Sequence, residues 1–315
     1  MAEQPPAAAR VDVEELDVTS PDYDVQLESL SQWQIAWRRF LHHRMALIGS
    51  ALFFGVVLVG IVGPFLMHYD FYQIPEPDKI VHAGRPPSLT HPFGETGSLQ
   101  WDVLLLVVNG IRFSLLIGVI ASAMGAIIGT IVGGIAGYFG GWIDTILMRI
   151  VDSLLTLPLL FVILVFSKFL GQGSWISVTI IFGLFGWLQI ARLVRAVLLS
   201  LREEDYVDAA RAAGIGDLRI IFRHLVPNAL SPIIVASTLS VAGVITGEAF
   251  ISFLGFGVGV QTPTLGSILA GSLDFISQGN WWWAFFPGMT IVVIVLGINF
   301  MGDGLRDALD PRAKA

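Results

Sequence analysis

The chain carries one charged, alanine-rich segment between strongly apolar neighbours. Residues 203–214 read Glu-Glu-Asp-Tyr-Val-Asp-Ala-Ala-Arg-Ala-Ala-Gly. Alanine favours helix and carboxylates are favourable near a helix N-terminus, so Asp205–Ala213 is predicted to form a short helix. Gly214 is predicted to end it with a positive φ angle. The segment is interpreted as a soluble contact surface held between membrane helices.

A second short helix is predicted to follow the glycine. Asp217 can cap Leu218–His224, and Pro227 closes that helix before the next apolar run. Helix, glycine kink and helix then lie across the membrane face. Four side chains of the first helix are available to enter a groove on a partner, namely Tyr206, Ala209, Ala210 and Ala213. Taken alone, the segment also fits a solvated amphipathic loop.

Other kinds of site find little support in the sequence. The chain has no cysteine, and its six histidines show no metal-ligand spacing such as H-E-x-x-H. A P-loop needs Gly-Lys-Ser/Thr, yet Lys79, Lys168 and Lys314 follow Asp, Ser and Ala. No nucleophile–base set stands out either. We therefore expect no cofactor or metal on this chain, and any ATP hydrolysis must come from partner subunits.

Composition places these residues in a polytopic membrane protein. Of 315 residues, 54% are hydrophobic and 14% charged, and several apolar runs approach the ~20 residues that span a bilayer. The N-terminus lacks a basic region ahead of an apolar stretch, so we expect the first span to stay as an anchor. Six spans are predicted, which puts both termini on one side: 46–67, 113–136, 149–169, 175–194, 229–250 and 283–301.

The distribution of basic residues predicts the orientation. Lys and Arg concentrate at cytoplasmic ends of spans. With the N-terminus inside, only Lys79, Arg85, Arg112 and Lys168 of the 18 basic residues fall outside. Both termini and the charged segment 203–214 are therefore predicted to be cytoplasmic.

Three flanking regions are predicted to be irregular or interfacial. Residues 1–30 hold eight acids against Arg10, within a net charge of −7, and are expected to form a disordered acidic tail. The apolar run Val103–Val108 is too short to span and is expected to approach the membrane as a surface or re-entrant segment. Residues 281–283, three consecutive tryptophans, are expected to form an interfacial belt, with a docking role as the alternative.

Glycines form a stripe along the second predicted span. Gly125, Gly129, Gly133 and Gly137 recur every four residues, so one helix face is bare backbone. In lipid such faces are helix interfaces, because association depends on close van der Waals contact. Packing within the chain and contact with another subunit are equally open.

Two carboxylates lie near the ends of predicted spans. Ionisable groups inside a membrane are candidates for function. Asp152 can pair with Arg149 one turn earlier, and its alternative role is in a translocation path. Glu248 is a candidate for the same path.

Five separated motifs carry a family resemblance. The spacing Asp208-Ala-Ala, three residues, Gly214, nine residues and x-x-Val-Pro227 resembles the E-A-A-x3-G-x9-I-x-L-P loop of binding-protein-dependent ABC transporter permeases. Residues 137–158, 248–258 and 299–311 resemble regions of the dipeptide, oligopeptide and nickel branch, and residues 37–49 resemble its C-type subunit. Asp208 replaces the family's Glu, and the external H-P-x-G-T-D motif loses its T-D at residues 95 and 96.

The resemblance implies an all-α, six-span type I ABC importer permease that forms half of a pore for peptides or a related small solute such as a nickel complex. It implies three regions, at 1–30, 31–110 and 111–315, with a coupling loop at 200–227. It also implies a second homologous permease, two ATPases that hold ATP and Mg²⁺, and an external solute-binding protein, in a bacterial or archaeal plasma membrane. No nucleic-acid partner is expected.

Within that resemblance, the residues expected to contact the ATPase are Asp205, Tyr206, Asp208, Ala209, Ala210, Ala213, Gly214 and Pro227. An ion-driven secondary transporter or channel is the alternative function, but the sequence shows no internal repeat and no mid-span acid pair. An intramembrane enzyme is a third class.

Overall fold

The computed structural model describes residues 31–66, 84–97, 101–170, 173–259 and 262–310, so the predicted acidic tail lies outside the described residues. The described chain is all-α, as predicted. Its helices are α1 (Gln32–His42), α2 (Arg44–Leu66), α3 (Val103–Phe139), α4 (Gly141–Leu155), α5 (Leu159–Leu170), α6 (Trp175–Leu201), α7 (Asp205–Ala212), α8 (Asp217–Ile220), α9 (Val226–Asn228), α10 (Leu230–Phe253), α11 (Leu265–Gly271), α12 (Leu273–Ile276) and α13 (Trp281–Leu309).

Among the described residues, five helices rather than six are long and apolar enough to cross a membrane: α2, α3, α6, α10 and α13. The predicted third span, 149–169, is divided. Pro158 has no N–H to donate, and the chain turns at Thr156–Pro158 between α4 and α5. The third passage is therefore built from two shorter helices.

The pair α4–α5 runs antiparallel to α6. Asp144 near the start of α4 binds Arg195 near the end of α6, whereas Phe166 of α5 packs on Phe185, nearer the start of α6. Beyond α5, the N–H of Gly259 donates to the carbonyl of Gly173 at 2.9 Å. Since α10 ends at Phe253, this bond lies at the opposite end of the bundle from the start of α4. Together, α4 and α5 therefore take the chain from one end of the bundle to the other.

The second span is longer than predicted, because Val103–Val108 forms its first turns. Asp102 caps this helix by accepting hydrogen bonds from the N–H groups of Leu104 and Leu105. Most of the run is buried, with Val108 against Gly63 of α2. The expectation of a surface or re-entrant segment was wrong, since neighbouring helices cover these side chains.

The three consecutive tryptophans at 281–283 differ in solvent exposure. Trp281 is 55% exposed, as an interfacial residue would be, whereas Trp282 and Trp283 are buried in the core. The Trp282 Nε1–H donates to the carbonyl of Glu95 at 3.1 Å. Trp282 therefore anchors the segment before α3, and Trp283 packs on Phe275 of α12, so neither contributes to a belt.

The charged segment and both described chain ends lie at one end of the bundle, called the loop end. Arg39 of α1 donates to the carbonyl of Asp310 at 3.0 Å. A cavity of about 780 Å³ between α1, α10 and α13 is lined by both of these residues and by Pro227 and Asn228. The first and last described residues are therefore on the same side, as the six-span topology predicted.

Candidate functional site

The charged segment folds into a compact element on the ends of α3 and α6. Its buried side chains form one apolar cluster with those helices and with the start of α10. The residues of the loop itself that are buried in this cluster are Val207, Ala210, Ile220, Ile221, Leu225 and Ala229. Burial of this apolar surface stabilises the element on the bundle at roughly 25 cal/mol per Å². The charged segment is thus packed on the bundle and is not a solvated amphipathic loop.

Gly214 ends α7 as predicted. Its φ is +73°, and an added Cβ would meet no atom within 4 Å, so backbone conformation alone favours glycine here. The N–H of Ile215 donates to the carbonyl of Ala210, and the N–H of Gly214 to that of Arg211. These two bonds make a Schellman motif, which satisfies the last carbonyls of the helix and sets the direction of α8.

Tyr138, near the end of α3, ties the two short helices together. Its hydroxyl donates to Asp217 Oδ1 of α8 at 2.7 Å, and it accepts a long bond of 3.5 Å from Arg211 Nε of α7. The Arg211 guanidinium also lies over the tyrosine ring, 5.2 Å from its centroid. The hydrogen bond with Tyr138, supported by Asp208, raises the pKa of Arg211. These contacts of the charged guanidinium hold α7 on α3.

The segment after Gly214 differs from the prediction. Asp217 begins α8 but does not cap it, because its carboxylate binds Tyr138 instead. Residues 221–225 form a π-helical turn, and Pro227 lies inside the short helix α9 rather than closing the preceding one. The break comes two residues later, at Ala229. The exposed Pro227 nevertheless lies beside α10, where the predicted loop ends.

The exposed side of α7 carries most of the residues predicted for partner contact. Tyr206, Ala209 and Ala213 share one face and are exposed, and we call them the docking stripe. Asp205 and Asp208 are exposed on the adjacent side, where Asp208 pairs with Arg211 at 3.0 Å. Ala210 is buried against its own chain, so its predicted place on the insertion face was wrong.

The glycine stripe of α3 packs on α6 of the same chain. A Cβ added at Gly133 would lie 2.4 Å from the carbonyl oxygen of Ala191, and one at Gly129 would lie 2.8 Å from that of Trp187. Gly125 and Gly137 approach α6 similarly. Of the two readings left open by the sequence, the structure shows the intrachain contact, which holds the two helices under the charged loop.

Two ion pairs fasten α4 to α6. The Nε–H and Nη2–H groups of Arg195 donate to the two carboxylate oxygens of Asp144. This bidentate arrangement holds the guanidinium and the carboxylate in one plane. Asp152 pairs with Arg192 at 2.5 Å, not with Arg149 as predicted. The predicted partner one turn earlier was wrong because α6 presents a guanidinium directly across the helix interface. Asp152 thereby has a structural partner.

Glu248 is buried within the chain near the end of α10. Its Oε1 accepts hydrogen bonds from Ser252 Oγ at 2.6 Å and Thr264 Oγ1 at 2.7 Å. The side chain joins α10 to the segment before α11, and only 1% of the residue is exposed. Its place in a translocation path stays a prediction. The described residues contain no group of three or more His, Cys, Asp or Glu arranged to hold a metal.

At the end of the bundle opposite the loop, His91 lies between two carboxylates. Its Nδ1 is 2.8 Å from Asp102 Oδ2 and its Nε2 is 3.1 Å from Glu95 Oε1. Glu95 is itself buried, with Arg85 3.7 Å away. Glu95 stands in the motif that departs from the family pattern, and sequence reasoning gave it no role.

Sequence reasoning also missed Tyr138 and the Asp144–Arg195 pair. Tyr138 lies within residues 137–158, which carry part of the family resemblance, but nothing in that pattern gives its partners, 73 and 79 residues further along the chain. Asp144 lies just before one predicted span and Arg195 just after the next, and these opposite charges at the same membrane edge were the signal that could have found the ion pair.

Comparison with known proteins decides the family. Residues 125–315 match the family described as binding-protein-dependent transport system inner membrane component. The chain belongs to this family. Residues 31–87 match the N-terminal TM domain of oligopeptide transport permease C. The chain is therefore an ABC importer permease, a transport component and not an enzyme.

Its relatives are peptide permeases by name. The chain is 35% identical to the oligopeptide transport system permease protein OppC of Bacillus subtilis, over 92% of this chain and 93% of that protein. It is 37% identical to the dipeptide transport system permease protein DppC of the same organism, over 92% and 89%. A solved structure of the MetNI methionine ABC transporter in inward-facing conformations shares the fold, with a TM-score of 0.52 at 22% identity over 65% of this chain and 96% of that one.

Proposed function

We propose that this permease is one half of the pore of an ATP-driven importer for peptides, and that the docking stripe is its contact with a separate ATPase. The identities of 35% and 37% with an oligopeptide and a dipeptide permease support the solute class. A nickel complex or another small solute is the alternative cargo. The partners are a second, homologous permease, two ATPases that bind ATP and Mg²⁺, and an external solute-binding protein.

The observation that carries the proposal is the exposed stripe on a rigidly held helix. Tyr206, Ala209 and Ala213 present one aromatic ring and two small side chains, a shape suited to entering a groove on a partner. Tyrosine is one of the side chains that most often anchor a protein interface, and the small alanines beside it allow a close approach. The carboxylates of Asp205 and Asp208 at its side can receive basic groups of the same partner.

The attachments of the loop give it a means of transmitting motion. Tyr138 and Arg211 bind it to α3, and the apolar cluster binds it to α6 and to the start of α10. A displacement of the bound ATPase would therefore move three helix ends together. We propose that this coupled movement switches the pore between inward and outward access, because tightly packed elements transmit shifts as rigid units.

We place the loop end in the cytoplasm. Basic residues favour the cytoplasmic side, and the described loop end carries Arg202, Arg211, Arg219 and Arg223. ATP is available only there. Both termini are then cytoplasmic in a multi-pass plasma-membrane protein, and the acidic tail shares that compartment with the ATPases.

Purification from native membranes tests the proposal. The tagged permease should bring with it a second permease and ATPase subunits in mild detergent. The reconstituted assembly should hydrolyse ATP faster when a binding protein loaded with peptide is added. Peptide uptake by these proteoliposomes should require ATP. Uptake driven by a sodium or proton gradient without any ATPase would instead establish a secondary transporter and refute the proposal.

A further inference from the structure

The amphipathic helix α1 has one face fixed against the bundle. Ala36 and Phe40 are buried, and Phe40 lies near Gly304 of α13. Arg39 donates to the carbonyl of Asp310, and the Nε2 of His43 lies 3.3 Å from Asp307 Oδ2. These contacts set which side chains of α1 point away from the protein.

The outward flank of α1 is a stripe of large apolar side chains. Trp33, Trp37 and Leu41 follow at every fourth residue, and their exposed fractions are 57%, 63% and 45%. Next to them, on the side facing away from α13, are Gln34, Arg38 and His42, all exposed. Tryptophan with arginine on one face is the pattern of a helix that lies in a membrane interface.

The position of α1 directly before the membrane-spanning helix α2 also indicates a helix in the membrane interface. Only His43 separates α1 from α2, which crosses the membrane from Arg44 onward. Since α2 must enter the apolar layer just beyond this point, α1 lies at the depth of the headgroups. A water-facing stripe of two tryptophans would be unfavourable there, whereas burial of their rings among headgroups and upper acyl chains is favourable.

The charge of this region selects the kind of lipid. Residues 31–66 contain three arginines and two histidines but no aspartate or glutamate. Arg38 and Arg44 form no ion pair with any residue that the structure describes. Guanidinium groups bind phosphate strongly through paired N–H donors. The unpaired charges therefore complement a surface rich in phosphate and net negative charge.

We propose that α1 is a lipid-binding helix, with Trp33, Trp37 and Leu41 seated in the headgroup boundary and Arg38 and Arg44 bound to anionic phospholipids. The side chains of Trp33, Gln34, Trp37 and Arg38 enclose a shallow depression of about 330 Å³, which suits a headgroup phosphate beside the Arg38 guanidinium. This inference does not depend on the solute or on the ATPase contact.

The absence of cysteine in the chain allows a direct test. A single cysteine replaces Leu41 and carries an environment-sensitive fluorophore, which leaves both tryptophans and both arginines in place. The full chain is reconstituted in vesicles of phosphatidylglycerol and phosphatidylcholine, with a nitroxide quencher on one lipid or the other. A label at Leu218, exposed at the same end of the protein, is the matched control.

We expect the label at Leu41 to be quenched severalfold more by nitroxide phosphatidylglycerol than by nitroxide phosphatidylcholine. The double variant Arg38→Gln, Arg44→Gln should bring the ratio of the two quenching values close to one. Each arginine near an anionic membrane surface strengthens binding to that surface by about fivefold, and the variant removes both. The control label should be quenched by neither lipid. Circular dichroism and gel filtration of each variant establish that the chain is folded.

Three other outcomes would overturn the proposal. Absence of quenching at Leu41 would mean that the stripe lies outside the bilayer. Equal quenching by both lipids, unchanged in the double arginine variant, would leave no anionic site. Quenching that begins only after residues 1–30 are deleted would show that the acidic tail, rather than lipid, occupies the helix.

Discussion

The contact between the glycine stripe and α6 gives the most quantitative prediction. Gly133→Ala adds one methyl group whose carbon would lie 2.4 Å from the carbonyl oxygen of Ala191 and 2.9 Å from Val194 Cβ. Ordinary contacts begin at 3.4 Å, so α3 and α6 must separate locally by about 1 Å. The obstructing oxygen belongs to a helix backbone and cannot rotate away. Overpacking of this kind costs about 1–3 kcal/mol.

Gly186→Ala is the matched control for this change. Gly186 lies within α6 close to the same interface, but a Cβ there meets no atom within 4 Å. Alanine in a helix interior is favoured over glycine by about 0.5–1 kcal/mol, so the control should be neutral or more stable. Equilibrium unfolding of the purified permease in mixed micelles measures both. Equal stability of wild type, Gly133→Ala and Gly186→Ala would refute the close packing of the stripe.

Three further predictions concern other parts of the fold. Asp144→Asn removes a bidentate ion pair between α4 and α6 and should lower the free energy of unfolding by about 1.5–3 kcal/mol, measured in the same micelles. Trp282→Phe removes the hydrogen bond to the carbonyl of Glu95 and should speed amide exchange in residues 84–97 while the rest of the bundle is unchanged. A cysteine at Leu273 should react with an impermeant thiol reagent in intact cells, whereas one at Leu218 should not, and reversed labelling would contradict the assigned orientation.

The sequence predicts the elements whose signals are local. Apolar length identified five of the six predicted spans, α2, α3, α6, α10 and α13, and the conformational needs of glycine placed Gly214 at the end of α7. The acidic, alanine-rich composition likewise predicted α7 itself. Each of these depends on neighbours within a few residues, so the pattern alone was sufficient.

Features that depend on distant partners could not be predicted in the same way. Asp152 had two basic residues within reach, and only the packing of α4 on α6 selects Arg192. Ala209 and Ala210 are the same residue type in adjacent positions, but only Ala210 joins the apolar cluster at the loop end, and Ala209 stays exposed. Val103–Val108 is buried because α2, α11 and α13 pack against it. Periodicity shows which faces are apolar but not which neighbour covers them.

The central claim is that the docking stripe of α7 binds a separate ATPase, and one comparison tests it most directly. Ala209→Arg places a long cation on the docking stripe, whereas Leu218→Arg places the same side chain on α8, at an exposed position outside the stripe. Both variants should insert in the membrane in normal amounts. We predict that Ala209→Arg loses the ATPase subunits on purification in mild detergent and loses peptide transport, while Leu218→Arg keeps both. Retention of wild-type ATPase binding and transport by Ala209→Arg would contradict the claim.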